Sequence, residues 1–297
     1  MTEQPAGFVV TVDPGDRIHF LDHGGAGWPD VSGGVLLVPG LRQTAWIWTP
    51  VARRLAERTH TVAMDLRGHG LSDAPTDADA YDADMLAEDV VAVAEGSGIL
   101  DPAEAGARIV LAGHGFGAVV AAWAAVELGA RCAGLVLVDG GWERQEEATG
   151  ADVDEFLRTL DEPPEVMASI RAFLRDRRGF DPSTWDADQE AAARATVVET
   201  RAGRVVPTTR PHALEASVRT MFRYDPSVTL PEVTAPVVAL VAADDEEGTR
   251  VVALRRVSDS RVAAGRGPIA EVVFEATGHN LMRYRPADVT AAILSLV

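Results

Sequence analysis

Lysine is absent from this sequence: all 27 basic residues are arginine, and they stand against 45 acidic residues. Without lysine there is no Schiff-base lysine, no pyridoxal-phosphate linkage and no lysine for a phosphate-binding P-loop. The net charge of −18 also argues against nucleic acid, because a protein that binds a polyanion needs a positively charged surface. The composition therefore excludes lysine-based covalent chemistry and predicts no nucleic-acid partner.

Cysteine and long apolar stretches are scarce as well. Cys132 is the single cysteine, so an internal disulfide is excluded, and no Cys/His cluster has the spacing of a zinc site. The longest near-apolar run, residues 116–126, is shorter than the roughly 20 residues that span a bilayer. The first ten residues lack the basic and then apolar order of a secretion signal. We predict a cytoplasmic protein with no membrane association, no metal and no organic cofactor.

Short apolar runs alternate with helix-length segments along the chain. Eight runs have strand character, at residues 8–12, 17–22, 34–38, 60–65, 108–113, 134–139, 236–241 and 270–275. The last six are almost continuously apolar, as in strands buried on both faces of a parallel sheet, whereas 17–22 alternates like an antiparallel edge strand. Segments with a 3.6-residue period lie between them, at residues 46–56, 83–94, 116–128, 249–262 and 286–296. This alternation predicts the α/β class.

Residues 142–222 interrupt that alternation. They show no strand pattern, many acidic residues and helical patches at 153–160, 164–174 and 189–200. We therefore predict an all-helical cap inserted between a first core segment, 1–141, and a second, 223–297. An insertion at this point would lie over the carboxyl ends of the strands, where ligands of open α/β sheets bind.

A glycine-rich turn follows the fifth predicted strand. Residues 108–118, RIVLAGHGFGA, have the pattern of a strand, a sharp turn and a helix start. Such a turn forces its apex into a strained backbone conformation and needs small neighbours, which is the geometry of the G-x-S-x-G nucleophile elbow. The five positions here are Gly113, His114, Gly115, Phe116 and Gly117, so the apex is glycine where a nucleophile would stand.

Together with four further blocks, this turn resembles the α/β-hydrolase superfamily. VLLVPGLRQTAWIW at 35–48 is similar to the strand and oxyanion loop, and DLRGHGLSD at 65–73 to the family's Asp-x-Arg-Gly-x-Gly-x-Ser-Asp block. PVVALVAADDE at 236–246 resembles the strand that ends in the catalytic acid, and residues 271–286 the strand and loop that carry the catalytic histidine. The resemblance implies an α/β-hydrolase fold with an eight-stranded, mainly parallel sheet flanked by helices.

The resemblance also implies a base and its orienting acid. His279 falls on the catalytic histidine, and Asp245 on the acid that would hold its ring. Two other carboxylates are candidates for that acid: Asp244 is one residue out of register, and Asp139 ends an earlier strand where some relatives carry it.

The remaining predicted site residues surround this pair. The backbone N–H groups of Leu41 and Phe116 would form the oxyanion hole. Trp46 and Trp142 border the expected cleft and are predicted to line an apolar substrate pocket. Pro39 replaces the histidine that usually precedes Gly40, which removes one N–H donor from the oxyanion loop.

Gly115 removes the covalent mechanism, because it offers no side chain for attack. An imidazole oriented by a carboxylate is still a competent general base near neutral pH. It could deprotonate a bound substrate in an elimination, isomerisation or cyclisation, or it could activate water in the space left at Gly115. We predict an enzyme of this kind that acts on a small apolar molecule, and no ordinary serine esterase.

Two alternatives remain open at this point. A ligand-binding protein that kept the fold and lost catalysis would also carry Gly115, but it would not need His279. A dinucleotide-binding oxidoreductase is the other alternative, because Gly113, Gly115 and Ala118 match G-x-G-x-x-G/A and Asp139 ends the next strand. That interpretation leaves the block at 65–73 unexplained.

Overall fold

The computed structural model describes residues 4–25, 33–104, 106–243, 248–275 and 277–297. Within these ranges the strands are β1 (Ala6–Val12), β2 (Asp16–Asp22), β3 (Gly34–Val38), β4 (Thr61–Met64), β5 (Ile109–His114), β6 (Cys132–Val138), β7 (Val197–Glu199), β8 (Val205–Pro207), β9 (Val237–Ala243) and β10 (Ala270–Glu275).

The α-helices of the same ranges are α1 (Thr49–Leu55), α2 (Ala83–Gly96), α3 (Phe116–Leu128), α4 (Gln145–Thr149), α5 (Val153–Thr159), α6 (Ile170–Phe180), α7 (Ala187–Ala195), α8 (Pro211–Arg223), α9 (Pro226–Glu232), α10 (Thr249–Ala263), α11 (Leu281–Tyr284) and α12 (Pro286–Leu294). None of the helices in this described part of the chain combines the length and the apolarity needed to cross a membrane.

Eight strands form one sheet in the order β1-β2-β4-β3-β5-β6-β9-β10. The six strands from β4 to β10 pair in parallel, and β2 pairs antiparallel with both β1 and β4. The predicted fold class is confirmed. Strand β2 is antiparallel as expected but does not lie at the edge, because β1 pairs with it along its whole length.

Helices cover both faces of the sheet. Leu36 and Leu37 are neighbours in β3 and belong to opposite core layers, since successive side chains of a strand point to opposite faces. The layer of Leu36 includes Val90 of α2 and residues of α3 and α10, whereas that of Leu37 includes Val51 of α1 and Val289 of α12. Burial on both faces explains why the sequence of the parallel strands is continuously apolar.

The inserted segment, residues 142–222, contains five helices, α4 to α8, and the antiparallel pair β7–β8. The prediction of an all-helical insertion is wrong at this pair. Helix α7 ends at Ala195, and the β-branched run from Thr196 to Val198 favours an extended backbone. The turn between the two strands contains Gly203 with φ of 76°, a conformation that favours glycine.

Candidate active site

The turn between β5 and α3 has the geometry of a nucleophile elbow with glycine at its apex. Gly115 adopts φ 54° and ψ −118°, a backbone conformation that other residues adopt only under strain. A Cβ atom at Gly113 would lie 2.1 Å from the carbonyl oxygen of Gly117, and one at Gly117 would lie 2.3 Å from that of Pro39. Glycine at these positions therefore allows β3, β5 and α3 to approach each other closely.

His279 faces this apex from the loop between β10 and α11. A Cβ atom at Gly115 would lie 3.3 Å from His279 Nε2. The other ring nitrogen, Nδ1, lies 2.6 Å from Oδ2 of Asp139, which directly follows β6. The imidazole is 58% exposed and the carboxylate is 2% exposed. A buried carboxylate thus orients a ring whose second nitrogen faces the turn.

The carboxylate of Asp139 is itself held in place. Its Oδ1 accepts hydrogen bonds from the backbone N–H of Ala242 at 2.9 Å and from Nη1 of Arg250 at 2.6 Å. Arg250 Nε also donates to Oε2 of Glu143 at 3.0 Å. Burial by itself would raise the pKa of Asp139, but the hydrogen bond with His279, the charge of Arg250 and the Ala242 amide together lower it below its ordinary value. Asp139 is therefore ionised at neutral pH.

Of the three candidate acids, Asp139 is the one that contacts His279 among the described residues. Asp245, the acid in register with the family pattern, and Asp244 lie outside the described residues. Strands β6 and β9 are parallel neighbours, so their carboxyl ends lie at the same sheet edge. Position at a strand end is the sequence signal that Asp139 shares with the other two.

His114, immediately before the apex, supports the loop that carries His279. Its ring is buried, with Nε2 3.0 Å from the carbonyl oxygen of His279 and Nδ1 2.9 Å from Oε1 of Gln43. The two imidazole rings lie 4.3 Å apart, centroid to centroid. Burial and the neighbouring His279 lower the pKa of His114 to about 3, so it is neutral at physiological pH.

Hydrogen bonds of the Gln43 side chain hold the oxyanion loop in position, and Gln43 is not among the residues predicted from the sequence. The backbone N–H of Gly40 donates to Gln43 Oε1 at 2.9 Å, and Gln43 Nε2 donates to Oδ1 of Asn280 at 2.8 Å. Leu41 and Phe116 line the same cavity as His279. Phe116 is the first residue of α3, where an N–H group has no acceptor within its own helix. Both residues whose amides are predicted to form the oxyanion hole thus line this cavity.

A cavity of about 420 Å³ joins these groups, and we call it the elbow cavity. Its wall includes Val119 of α3 and two apolar residues of the inserted segment, Phe156 and Met221. Glu143 and Arg250 add charged groups beside His279. A cavity lined by both apolar and polar side chains suits a small organic ligand.

The two predicted pocket tryptophans lie elsewhere, and that prediction is wrong. Trp142 is only 1% exposed, because it packs in the core with the guanidinium of Arg250 at 5.1 Å from its ring centroid. Trp46 lines a separate cavity with His23 and Arg53. A large aromatic side chain next to a site is as readily a core residue as a pocket residue, and sequence alone did not distinguish the two.

The described part of the chain offers neither a cluster of metal-ligating side chains nor an exposed thiol. There, no group of three or more His, Cys, Asp or Glu side chains has the arrangement of a metal site. Cys132 is buried, and burial raises the pKa of its thiol to about 11, so the reactive thiolate is disfavoured.

Comparison with known proteins identifies the family. The sequence profile of the alpha/beta hydrolase family matches residues 35–293. A Variovorax paradoxus protein proposed to be the carbamate hydrolase RutD is 33% identical over 230 residues, which are 77% of this chain and 78% of that protein. The chain therefore belongs to the alpha/beta hydrolase family.

Other relatives match in part or in fold. N-formylmaleamate deformylase of Pseudomonas putida is 38% identical over 125 residues, and the match spans 42% of this chain and 42% of that enzyme's length. The crystal structure of E-2-(acetamidomethylene)succinate hydrolase superposes with a TM-score of 0.79 at 21% identity and covers 98% of both chains. The thioesterase domain from the curacin biosynthetic pathway gives a TM-score of 0.72 at 19% identity, over 98% of this chain and 100% of that one.

Proposed function

We propose that this protein is an enzyme in which His279, oriented by Asp139, acts as a general base without a covalent intermediate. The observation that carries this proposal is the position of His279 Nε2, 3.3 Å from where a Cβ atom of Gly115 would lie. In a serine enzyme of this fold, that nitrogen would take the proton of the nucleophile. In this protein, His279 Nε2 faces the space that a nucleophile side chain at position 115 would occupy.

The reaction we favour is hydrolysis by an activated water molecule. His279 Nε2 removes a proton from water at the apex, and the water oxygen forms a bond to the carbonyl carbon of the substrate. The negative charge that develops on the carbonyl oxygen is stabilised by the N–H groups of Leu41 and Phe116. The imidazolium, stabilised by ionised Asp139, then returns the proton to the leaving group as the carbon–leaving group bond breaks.

The names of the relatives support hydrolysis over the other base-catalysed reactions. They include a deformylase, a protein proposed to be a carbamate hydrolase, and Epoxide hydrolase 4 of Mus musculus, which is 31% identical over 38% of this chain. Elimination, isomerisation and cyclisation use the same base and start with removal of a substrate proton, so they remain outcomes of the test below.

The test is an assay of simple esters and amides with the native chain and with His279→Ala. We expect steady turnover by the native chain, with no burst of leaving group and no acyl adduct in the mass spectrum of acid-quenched protein. We expect His279→Ala to lose turnover. The matched control is His212→Ala, because His212 is exposed at the start of α8 and does not line the elbow cavity.

Two results would decide against general-base catalysis by His279 without a covalent intermediate, and a third would decide against hydrolysis alone. An acyl adduct on the native chain would show a covalent mechanism, and turnover that survives His279→Ala would exclude the base. A product with the mass of the substrate, or one formed without addition of water, would assign direct proton abstraction in place of hydrolysis.

A ligand-binding protein without catalysis is the second candidate, and Gly115 itself favours it. The orientation of His279 by Asp139, with Arg250 on the opposite oxygen, favours the enzyme instead, because binding alone does not require that network. Ligand binding by the native chain with no reaction across the substrate panel, and with equal affinity in His279→Ala, would support the second candidate.

A further inference from the structure

A second cavity, of about 470 Å³, borders the elbow cavity. Leu41, Gln43 and Asn280 line both. The rest of its wall comes largely from α6, α7 and the pair β7–β8 of the inserted segment, together with α11. Three arginines line it, Arg42, Arg177 and Arg283, and we call it the arginine chamber.

Arginines outnumber carboxylates among the described lining residues of the arginine chamber. Glu162 is the one carboxylate among its described lining residues. Arg42 Nη2 lies 3.0 Å from Glu162 Oε1, and Arg177 binds the same oxygen. Nη1 of Arg177 also lies 2.9 Å from Oδ2 of Asp176. Two carboxylates thus pair with Arg42 and Arg177, and Arg283 is the third guanidinium of a chamber in a protein whose own charge is −18.

Arg283 is held in the chamber by neutral acceptors. Its Nε donates to Thr184 Oγ1 at 2.6 Å, and its Nη2 donates to the carbonyl oxygen of Asp181 at 2.5 Å. These two bonds position the guanidinium. The pKa of the Asp181 carboxylate is lowered by its hydrogen bond with Ser183 and, to a smaller extent, by the charge of Arg283. Arg283 also follows His279 by four residues, so the candidate anion-binding residue and the candidate base belong to the same short segment.

The rest of the lining is largely apolar and aromatic. It includes Phe173, Phe180 and Trp185. The guanidinium of Arg177 lies 4.7 Å from the ring centroid of Phe173, and its two terminal nitrogens donate to Asp176 and Glu162. Thr44 adds a buried hydroxyl, 2% exposed as a residue, that has no hydrogen-bond partner within the described part of the chain.

From these observations we infer that the arginine chamber binds the carboxylate-bearing apolar part of the ligand, and that the substrate is an apolar carboxylic acid with its reacting group directed past Gln43 and Asn280 to His279. A volume of about 470 Å³ is sufficient for an aromatic or branched aliphatic acid. The statement about the reacting group rests on the proposed function, whereas binding of the anion does not.

The test is calorimetric titration of the full chain with 3-phenylpropanoate and with its neutral analogue, 3-phenylpropan-1-ol. We expect the carboxylate to bind about tenfold more tightly or better, because charge-assisted hydrogen bonds to a guanidinium are the stronger ones. We expect this preference to decrease when NaCl is raised from about 0.05 M to about 0.5 M. Equal or weaker binding of the carboxylate, or a preference that salt leaves unchanged, would overturn the inference.

Arg283→Gln locates the anion. We expect it to weaken binding of the carboxylate about tenfold and to change binding of the alcohol less than about twofold. The matched control is Arg178→Gln, which removes an exposed charge next to Arg177 on α6 and is expected to affect neither ligand. Full carboxylate affinity in Arg283→Gln would contradict the assignment to Arg283. If that variant binds both ligands poorly, the native salt series decides.

The same titration in His279→Ala separates this inference from the proposed function. We expect the carboxylate preference to persist there, since His279 lies outside the arginine chamber. A preserved preference without catalysis by the native chain would count against the proposed reaction only. Catalysis with no preference for acids would count against the arginine chamber only.

Discussion

At the scale of the single residue, the chemistry of this site follows from what Gly115 lacks. Around it lie an imidazole with a buried carboxylate on Nδ1 and two residues, Leu41 and Phe116, that line the same cavity. With glycine at the apex, His279 Nε2 meets no hydroxyl to deprotonate. In the proposed mechanism, a residue that contributes no atom beyond its backbone thus decides between covalent and direct catalysis.

Gly115→Ser should convert the site to covalent chemistry. The new Cβ would lie 3.3 Å from His279 Nε2, so the hydroxyl can hydrogen-bond to that nitrogen. We expect a burst of leaving group from an activated ester and an acyl adduct by mass spectrometry. The free energy of unfolding should fall by about 1–3 kcal/mol, because φ of 54° is strained for serine.

Gly115→Ala is the matched control for this change. It introduces the same backbone strain without a hydroxyl, so we expect a similar loss of stability and no adduct. Equal behaviour of the two variants towards the ester would show that His279 does not activate a group at the apex.

Asp139→Asn should lower turnover by about 10³–10⁴ and leave ligand affinity nearly unchanged, because the amide neither fixes the ring tautomer nor stabilises the imidazolium. Asp259→Asn, an exposed change on α10, is the control. Retention of most of the activity in Asp139→Asn would point to an acid other than Asp139.

The lowered pKa of Asp139 also predicts a pH dependence of stability. A carboxylate whose pKa is lower in the folded than in the unfolded state stabilises the fold above its unfolded value, about 3.9, and this contribution disappears as the pH falls through the folded value. We expect the native chain to lose more stability than Asp139→Asn between about pH 5 and pH 2. Parallel stability curves for the two proteins would contradict this.

At the scale of secondary-structure elements, the site depends on how closely β3 and α3 approach each other. A Cβ atom at Gly117 would lie 2.3 Å from the carbonyl oxygen of Pro39 and 2.4 Å from that of Val38. Both are backbone atoms, which no side-chain rotation can move away. The close approach of α3 to β3 therefore requires a hydrogen atom in place of a Cβ atom at residue 117.

Gly117→Ala should destabilise the protein by about 3 kcal/mol or more, because α3 would have to move away from β3. The same substitution at Gly179, within α6, is the control. There a Cβ atom meets nothing within 4 Å, and we expect a small gain of up to about 1 kcal/mol from helix propensity. Urea denaturation measures both effects, and equal midpoints for Gly117→Ala and the native chain would contradict the close approach.

Most of the strands and helices could be predicted, because the spacing of apolar residues along the sequence differs between strands and helices. Helix α3 has the predicted bounds, and β10 does too. The pair β7–β8 was not foreseen, since strands of three residues are too short to show a period. In the site, the glycine turn and His279 could be named from local motifs.

The network around these residues could not be predicted, because its partners are distant in sequence. Arg250 and Asp139 are 111 residues apart, and His114 and Gln43 are 71 apart. No local pattern links such pairs, and only the parallel pairing of β6 with β9 brings the first pair to one edge. The choice among three strand-end carboxylates depends on the same information.

At the scale of the whole molecule, the imbalance of 45 acidic and 27 basic residues sets the response to salt. Like charges on a compact surface repel one another, and salt screens this repulsion over a Debye length of about 10 Å at 0.1 M. We expect the melting temperature near pH 8 to rise between about 0.02 M and about 0.3 M NaCl. Near the isoelectric point of about 4.7, this rise should disappear. A melting temperature that falls with salt at pH 8 would show that ion pairs dominate over net charge.

Gly115 also affects how this protein would be found in a cell extract. Fluorophosphonate reagents label serine hydrolases by phosphonylating the hydroxyl of the elbow serine. In this chain, Gly115 has a hydrogen atom where that serine would carry its side chain, so there is no hydroxyl at the elbow to label. A proteome survey that enriches family members by such labelling would therefore pass over this protein, and its abundance would have to be followed by a method that does not depend on a reactive oxygen.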